Sequence, residues 1–116
     1  MKIPDSVRIG GIEYPVSMEV RLNNGVNICY GHIDYEKCRI RLLDSDSMGH
    51  EKMCVVLLHE ILHGIRYHAG LNIDNEEEIV DMFAKGLYQV LQDNGGRFFD
   101  LELQRKTDAG VEKECG

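Results

Sequence analysis

The pentapeptide His-Glu-Ile-Leu-His at residues 59–63 constrains this chain more than any other feature of the sequence. It lies in a stretch from Glu51 to about Tyr67 whose apolar residues recur at helical spacing, which predicts a helix with a buried face. Residues four apart on a helix differ by only about 40° around its axis, so His59 and His63 point the same way and can share one metal ion. A core helix does not bury two histidines and a glutamate without compensation, and a metal site would supply it.

Glu60 is predicted to act on a water molecule rather than on the metal. It lies about 100° around the helix axis from His59, too far to bind the same ion beside the two histidines. Zinc lowers the pKa of a coordinated water toward about 7, and a neighbouring carboxylate can then take its proton and pass it to a leaving amine. The pattern therefore favours zinc-dependent hydrolysis with Glu60 as general base.

A second predicted helix begins with three glutamates and supplies the candidate third ligand. Glu77 is followed one turn later by Asp81, so both lie on one face of that helix. We expect Glu77 to bind the metal while Asp81 accepts the free ring N–H of a ligand histidine. Glu76 and Glu78 are predicted to be solvated residues that suit the positive start of a helix, with Glu78 as the alternative ligand.

The segments before the motif helix alternate apolar and polar residues and read as strands. Gly10-Gly11 predicts a two-residue hairpin turn, because both glycines accept positive φ. Pro15 suggests that the second arm of this hairpin lies at a sheet edge or bends there. A further strand over residues 16–22 is followed by a second hairpin with arms at residues 26–33 and 38–43. The order of strands followed by helices predicts an α+β domain with a small, mainly antiparallel sheet packed on the two helices.

The chain length of 116 residues predicts a single domain, assigned to residues 1–104, followed by a polar, flexible tail at 105–116. Apolar residues of the second helix are expected to form its buried face, and Asn94-Gly95-Gly96 is expected to end it. Phe98, Phe99 and Leu101 are expected to fold back on the core. The predicted buried residues of the second helix are Ile79, Val80, Phe83, Leu87, Val90 and Leu91.

Charge and cysteine content narrow the classes of partner and compartment. The net charge of −7, from 13 basic and 20 acidic residues, argues against nucleic acid or an anionic membrane as the main partner. The four cysteines form no C-x-x-C pair, which is typical of thiols in a reducing cytosol. Residues 1–5 lack the apolar core of a signal peptide, and the longest apolar run is too short to span a bilayer. We therefore expect a cytoplasmic protein.

The histidine pair, the glutamate between them and the downstream acidic pair resemble the pattern of the gluzincin metallopeptidases. The segment from Cys54 to Leu87, including Phe83-Ala84, is also similar to the core of minimal gluzincins and of ImmA/IrrE-type peptidases of prophages and mobile elements. Residues 31–35 and 40–42 are similar to small phage-encoded H-E-x-x-H proteins. The residues that carry the gluzincin resemblance are His59, Glu60, His63, Glu77 and Asp81.

The resemblance implies a zincin-like fold, a zinc ion and cleavage of a peptide bond in an extended segment of a protein partner. It also implies an edge strand that binds the substrate backbone by strand addition, for which residues 26–33 are the candidate. Gluzincins use a tyrosine or histidine to stabilise the oxyanion. Tyr67, one turn after His63, is the candidate for this role, and Tyr30 and His32 remain alternatives.

Two other functions stay open at this point. A zinc-stabilised module could capture a peptide or host protein at its sheet edge without cutting it. Another metal-assisted hydrolase, such as a deformylase, also uses H-E-x-x-H, but it takes an upstream cysteine ligand from a motif that this sequence does not contain. The sequence leaves the substrate, the oligomeric state and the organism open.

Overall fold

The computed structural model describes residues 2–22, 29–46 and 48–95. These residues form an α+β unit of one sheet and two helices, and the α+β class is as predicted. The sheet has four strands, because the strand predicted over residues 16–22 continues the second arm of the first hairpin. The predicted tail at 105–116, the residues 98–101 and the start of the candidate edge strand at 26–28 lie outside the described residues. The elements are β1 (Ser6–Ile9), β2 (Ile12–Glu19), β3 (Gly31–Asp34), β4 (Arg39–Leu43), α1 (His50–Ala69) and α2 (Glu76–Asp93).

The sheet has the strand order β1-β2-β4-β3 and is mixed. Each of the two predicted hairpins is antiparallel, and the second arms of both pair in parallel, with Val16 opposite Ile40. The strand before the motif helix, β4, is therefore interior, and β3 lies at the edge. This places the described part of the candidate edge strand where the sequence argument expected it.

Two alternatives were expected at Pro15, a sheet edge or a bend, and the sheet edge is wrong because Pro15 lies in a central strand. The first half of β2 pairs with β1 and its second half pairs with β4, and Pro15 stands at the change of partner. The N–H of the next residue, Val16, donates to the Asp5 carbonyl oxygen at 2.8 Å. The missing N–H of proline is tolerated here because neither ladder requires a donor at that position.

Both hairpin turns are fixed by local features, the first by backbone conformation and the second by side-chain hydrogen bonds. Gly10 and Gly11 have φ of +58° and +81°, the conformation of a type I′ turn, and Ile9 pairs with Ile12 across it. In the second turn the Asp34 carboxylate accepts hydrogen bonds from the N–H groups of Glu36 and Lys37, at 3.1 and 3.0 Å. This side-chain bonding to the turn backbone holds β3 in register with β4.

Helix α1 packs across the sheet and carries the predicted core face. The largest side chains with almost no exposure are Tyr14, Ile40, Leu42 and Cys54, drawn from β2, β4 and α1. Gly64 permits the close approach of α1, because a Cβ there would lie 3.0 Å from the Cδ1 atoms of Ile9 and Ile33. The helix ends at Gly70, whose φ of +69° confirms the predicted C-terminal stop.

Helix α2 packs mainly against α1, and its burial differs from the sequence prediction. Only Val80 and Ala84 are buried among its described residues. Phe83, Leu87 and Val90, which were predicted to be buried, are 58%, 37% and 47% exposed. The prediction was wrong because apolar periodicity identifies a helix face but not what covers it, and α2 touches one neighbour along only part of that face. Neither helix of the described residues is long and apolar enough to cross a membrane.

Candidate metal centre

The structure brings three predicted ligand residues together between α1 and α2. The Nε2 atoms of His59 and His63 lie 3.1 Å apart. The two carboxylate oxygens of Glu77 lie 2.7 Å from Nε2 of His59 and 3.0 Å from Nε2 of His63. Within the described part of the chain, these three side chains form a group that could hold a metal ion.

The spacing of the three donors fits a small cation. Ligand atoms about 2.0–2.1 Å from a tetrahedral zinc ion stand roughly 3.3 Å apart, close to the separations seen here. The exposure of the donors also fits, because the two imidazole side chains are each 15% exposed and the Glu77 side chain is 74% exposed. Such a centre would be anchored on its buried side by α1 and would stay open to solvent on the side of α2.

His63 is oriented by a carboxylate that the sequence argument assigned to solvent. Glu76 Oε2 lies 2.6 Å from His63 Nδ1, and Glu76 Oε1 lies 2.9 Å from Arg66 Nε. The hydrogen bond to His63, followed by that to Arg66, holds the pKa of Glu76 below its usual value. An ionised Glu76 accepts a hydrogen bond from the Nδ1–H of His63, which leaves the Nε2 lone pair of the ring available to a metal ion.

The prediction that Glu76 is a solvated helix-start residue is therefore wrong. Its side chain is 24% exposed, because it spans from α2 to His63 and Arg66 on α1. The sequence offers one indication of this contact: a glutamate stands beside the predicted ligand, and an arginine stands three residues after the second histidine. Neither residue's position in the sequence predicts the contact of Glu76 with His63, because that contact depends on the angle between the two helices.

Asp81 lies near the other histidine, as predicted, but is bound more closely elsewhere. Its Oδ1 is 3.7 Å from His59 Nδ1, an ion-pair distance that exceeds a good hydrogen bond. Its Oδ2 is 2.8 Å from Lys85 Nζ, and this bond is the main reason that the pKa of Asp81 is lowered. The two histidines thus have unequal support, with a short bond at His63 and a longer contact at His59.

Glu60 is buried next to the candidate ligands and against the sheet edge. It is 8% exposed, the buried charged residue of the described core. Burial raises the pKa of its carboxyl group, while the nearby His59 and His63 and a hydrogen bond from the N–H of Ile33 act in the opposite direction. A carboxyl group whose proton affinity is raised by burial is better suited to accept and return a proton than an exposed one.

The edge strand β3 approaches Glu60 closely because it carries a glycine. A Cβ at Gly31 would lie 2.5 Å from Cγ1 of Val56 and 3.3 Å from the Glu60 side chain. The N–H of Leu43 donates to the carbonyl oxygen of Tyr30 at 2.8 Å. Because hydrogen bonds alternate along an antiparallel pair, Gly31 and Ile33 then direct their backbone groups to the open edge.

A cavity of about 670 Å³ connects these features. Its walls come from β3, from the face of α1 that carries His59 and His63, and from the start of α2. The three candidate ligands and Glu60 all line it, as does the backbone-exposing Gly31. The arrangement can therefore place an extended chain along β3, beside a polar cluster that contains two imidazoles and two carboxylates.

The remaining sequence candidates lie at different places. The ring of Tyr67 stacks on Tyr35, with ring centroids 3.8 Å apart and an interplanar angle of 5°, and its assignment to the oxyanion stays a prediction. His32 lines the cavity, and its Nδ1 lies 3.2 Å from a terminal nitrogen of Arg41. His68 is exposed, and its Nε2 pairs with the hydroxyl of the buried Tyr14 at 2.7 Å.

Comparison of the chain with protein-family models, with curated proteins and with solved structures gave no match. A functional assignment must therefore come from the geometry and chemistry of the site itself.

Proposed function

We propose that this chain is a zinc-dependent peptidase of gluzincin type, with a zincin-like arrangement of sheet and helices. It would hydrolyse a peptide bond in an extended segment of a protein and would be of phage or mobile-element origin. The observation that carries the proposal is the convergence of His59, His63 and Glu77 on one point. Beside that point lie a buried glutamate and an open sheet edge.

The donor set supports zinc as the metal. Two imidazole nitrogens and one carboxylate match the three protein ligands of catalytic zinc sites that keep a position open for solvent. Zinc held by these residues would act as a Lewis acid and would make a water molecule a stronger nucleophile. Glu76 holds His63 in the tautomer that presents Nε2, so the protein contributes orientation as well as ligands.

Glu60 is the proton carrier in this proposal. Its burial raises the pKa of its carboxyl group, which allows the ionised form to take a proton from the attacking water. The same group then returns that proton to the nitrogen of the leaving amine as the C–N bond breaks. The hydrogen bond from Ile33 ties this carboxylate to β3, where the scissile segment would lie.

The substrate backbone would lie along β3. Gly31 has no side chain to obstruct the cavity, and its N–H and carbonyl oxygen point to the open edge. An extended peptide can pair with such an edge as an added strand, which gives affinity with little dependence on sequence.

The decisive experiment compares the wild-type chain with Glu60→Gln. Glutamine keeps the shape of glutamate but cannot accept the proton, so we expect peptide cleavage to fall by about 10² to 10⁴ while zinc content stays near one ion per chain. Cleavage is measured on a peptide library by mass spectrometry, and metal content by elemental analysis. His59→Ala is the matched variant that should lose the metal together with the activity.

The alternative is a zinc-stabilised module that binds a peptide or protein at the β3 edge and cuts nothing. The observation in its favour is that the edge strand and the cavity are available whether or not chemistry follows. Peptide binding by a zinc-loaded wild-type chain that cleaves no member of the library would replace the peptidase proposal with this one. A chain that takes up no zinc on titration would contradict both.

A further inference from the structure

Lys52 lies in the same cavity as the candidate metal centre, at its far end along α1. It precedes His59 by seven residues, which is about 10.5 Å along the helix axis and only about 20° around it. Lys52 and His59 therefore project from the same face of α1, and both line the cavity. The lysine has no part in the metal centre or in the proton transfer assigned to Glu60.

The ammonium group of Lys52 is held by an aromatic ring. Its Nζ lies 3.9 Å from the centroid of the Tyr30 ring, a short cation–π contact. The other lysine of the cavity, Lys85, is neutralised by Asp81 at 2.8 Å. Among the described residues no carboxylate forms an ion pair with Lys52.

Tyr30 places this cation at one end of the edge strand. It immediately precedes β3, and its carbonyl oxygen accepts the N–H of Leu43, which fixes its backbone against β4. Tyr30 as a whole is about half exposed, at 51%. A peptide paired with β3 would therefore pass the ammonium group at the Tyr30 end of the strand.

From this placement we propose that Lys52, held by Tyr30, forms a subsite for a carboxylate of the bound peptide. The proposal rests on the peptide-binding role assigned above and adds the class of substrate: an extended segment with an aspartate or glutamate. An extended chain advances about 3.4 Å per residue, so the axial separation of about 10.5 Å puts the acidic residue roughly three positions from the scissile bond. In a chain with a net charge of −7, a cavity lysine that forms no ion pair with any described carboxylate gives this selectivity a physical basis.

The first test measures binding of decapeptides blocked at both ends, in which each position in turn carries glutamate or glutamine. Zinc-loaded Glu60→Gln protein is used, so that affinity is read by fluorescence anisotropy whether or not the wild type cleaves. We expect glutamate to be preferred roughly fivefold at one position, the range of a partly exposed ion pair. The preference should shrink as salt is raised from 50 to 500 mM, by roughly the screening expected over that range.

Substitutions of Lys52 identify the residue responsible. K52M in the same background should abolish the preference for glutamate, and K52E should transfer the preference to a lysine-containing peptide. K37M is the matched control, since Lys37 is an exposed lysine in the turn between β3 and β4, and it should leave the preference unchanged. Tyr30→Phe should retain the preference and Tyr30→Leu should weaken it, because only the ring face is required.

Different failures lead to different conclusions. Equal affinity for glutamate and glutamine at every position, or a preference that survives K52M, would overturn the carboxylate subsite. If the preference appears only when the C-terminus is left unblocked, the ligand is a terminal carboxylate, and the proposal of an acidic side chain is wrong. Selective binding without any cleavage would leave the subsite standing and overturn the peptidase activity instead.

Discussion

The two helices that form the candidate metal centre are held in very different ways. Helix α1 lies against the sheet, and the residues of its inner face, among them Cys54, Leu57 and Gly64, are buried. Helix α2 touches mainly α1, buries only Val80 and Ala84 among its described residues, and leaves several large apolar side chains exposed. The centre therefore joins a densely packed element to a weakly packed one.

This difference assigns distinct tasks to the two helices. The two histidines and Glu60 are on α1, so their positions are set by the hydrophobic core. The acidic partners Glu76, Glu77 and Asp81 are on α2, so their positions depend on few apolar contacts and on polar bonds to α1. A metal ion bound between them would couple binding to the docking of α2, and part of its affinity would appear as stability of that helix.

The largest expected effect is a difference in unfolding free energy between a substitution in the sheet core and one on α2. Leu42→Ala should lower the free energy of unfolding by about 3 kcal/mol, because Leu42 of β4 is fully buried and its loss leaves a cavity. Phe83→Ala on α2 removes a larger side chain that is 58% exposed, and should cost less than about 1 kcal/mol. Urea denaturation of both variants measures the contrast, and equal losses would show that the outer flank of α2 is covered in solution.

Zinc is expected to act unevenly on the two helices. At a free concentration 100 times its dissociation constant, a ligand stabilises the binding-competent state by about 2.7 kcal/mol. Amide hydrogen exchange should therefore slow by about 100-fold in α2, whose separation from α1 breaks the site, and much less on the inner face of α1. The His59→Ala variant serves as control and should show no change. Uniform protection of both helices would mean that α2 is not a separate unit.

The link between Glu76 and His63 should set part of the metal affinity. Glu76→Gln removes the charge that orients the His63 ring and pairs with Arg66, so zinc affinity should fall roughly tenfold or more. Competition with a chromophoric chelator measures this change. Glu78→Gln is the matched control, because it removes the same charge from an exposed neighbour in the same helical turn. A similar loss in both variants would indicate a general charge effect and not the contact with His63.

The smallest expected effect lies in the turn after β3. The pKa of Asp34 is lowered, chiefly because its carboxylate accepts the backbone N–H of Lys37. A lowered folded-state pKa means that the stabilisation is present above the unfolded-state value of 3.8 and is lost as the pH falls through the folded-state value. Asp34→Asn should therefore be slightly less stable than wild type at neutral pH, and the gap should close in acid. A gap that widens in acid, in denaturation curves across pH, would contradict this sign.

Local patterns predicted much of the structure correctly. The Gly10-Gly11 turn, the stop of the motif helix at Gly70, the α+β class and the grouping of His59 with His63 all depend on neighbours within a few residues. Glu77 could also be chosen from the sequence as the third ligand, because Glu77 and Asp81 are four residues apart and lie on one face of the next helix. These features follow from backbone conformational preference and from helical geometry, which act over short separations in sequence.

The predictions that failed concerned contacts between elements that are distant in sequence. Phe83, Leu87 and Val90 were expected to be buried because they are apolar and periodic, but no described element covers them fully. Glu76 was expected in solvent, yet the crossing of α2 over α1 brings it to His63. The parallel pairing of β2 with β4 was likewise not predicted, because strand order depends on contacts between hairpins that are distant in sequence.

By itself, the sequence determined which atoms are available as donors and that two imidazoles stand one helical turn apart, because these are consequences of residue identity and of a 3.6-residue period. Only the tertiary structure decided that Glu77 meets both rings, that Glu76 supports one of them and that Glu60 lies buried beneath an open strand. These contacts join elements whose relative positions come from packing on the sheet, and packing is a property of the assembled core that no local pattern specifies.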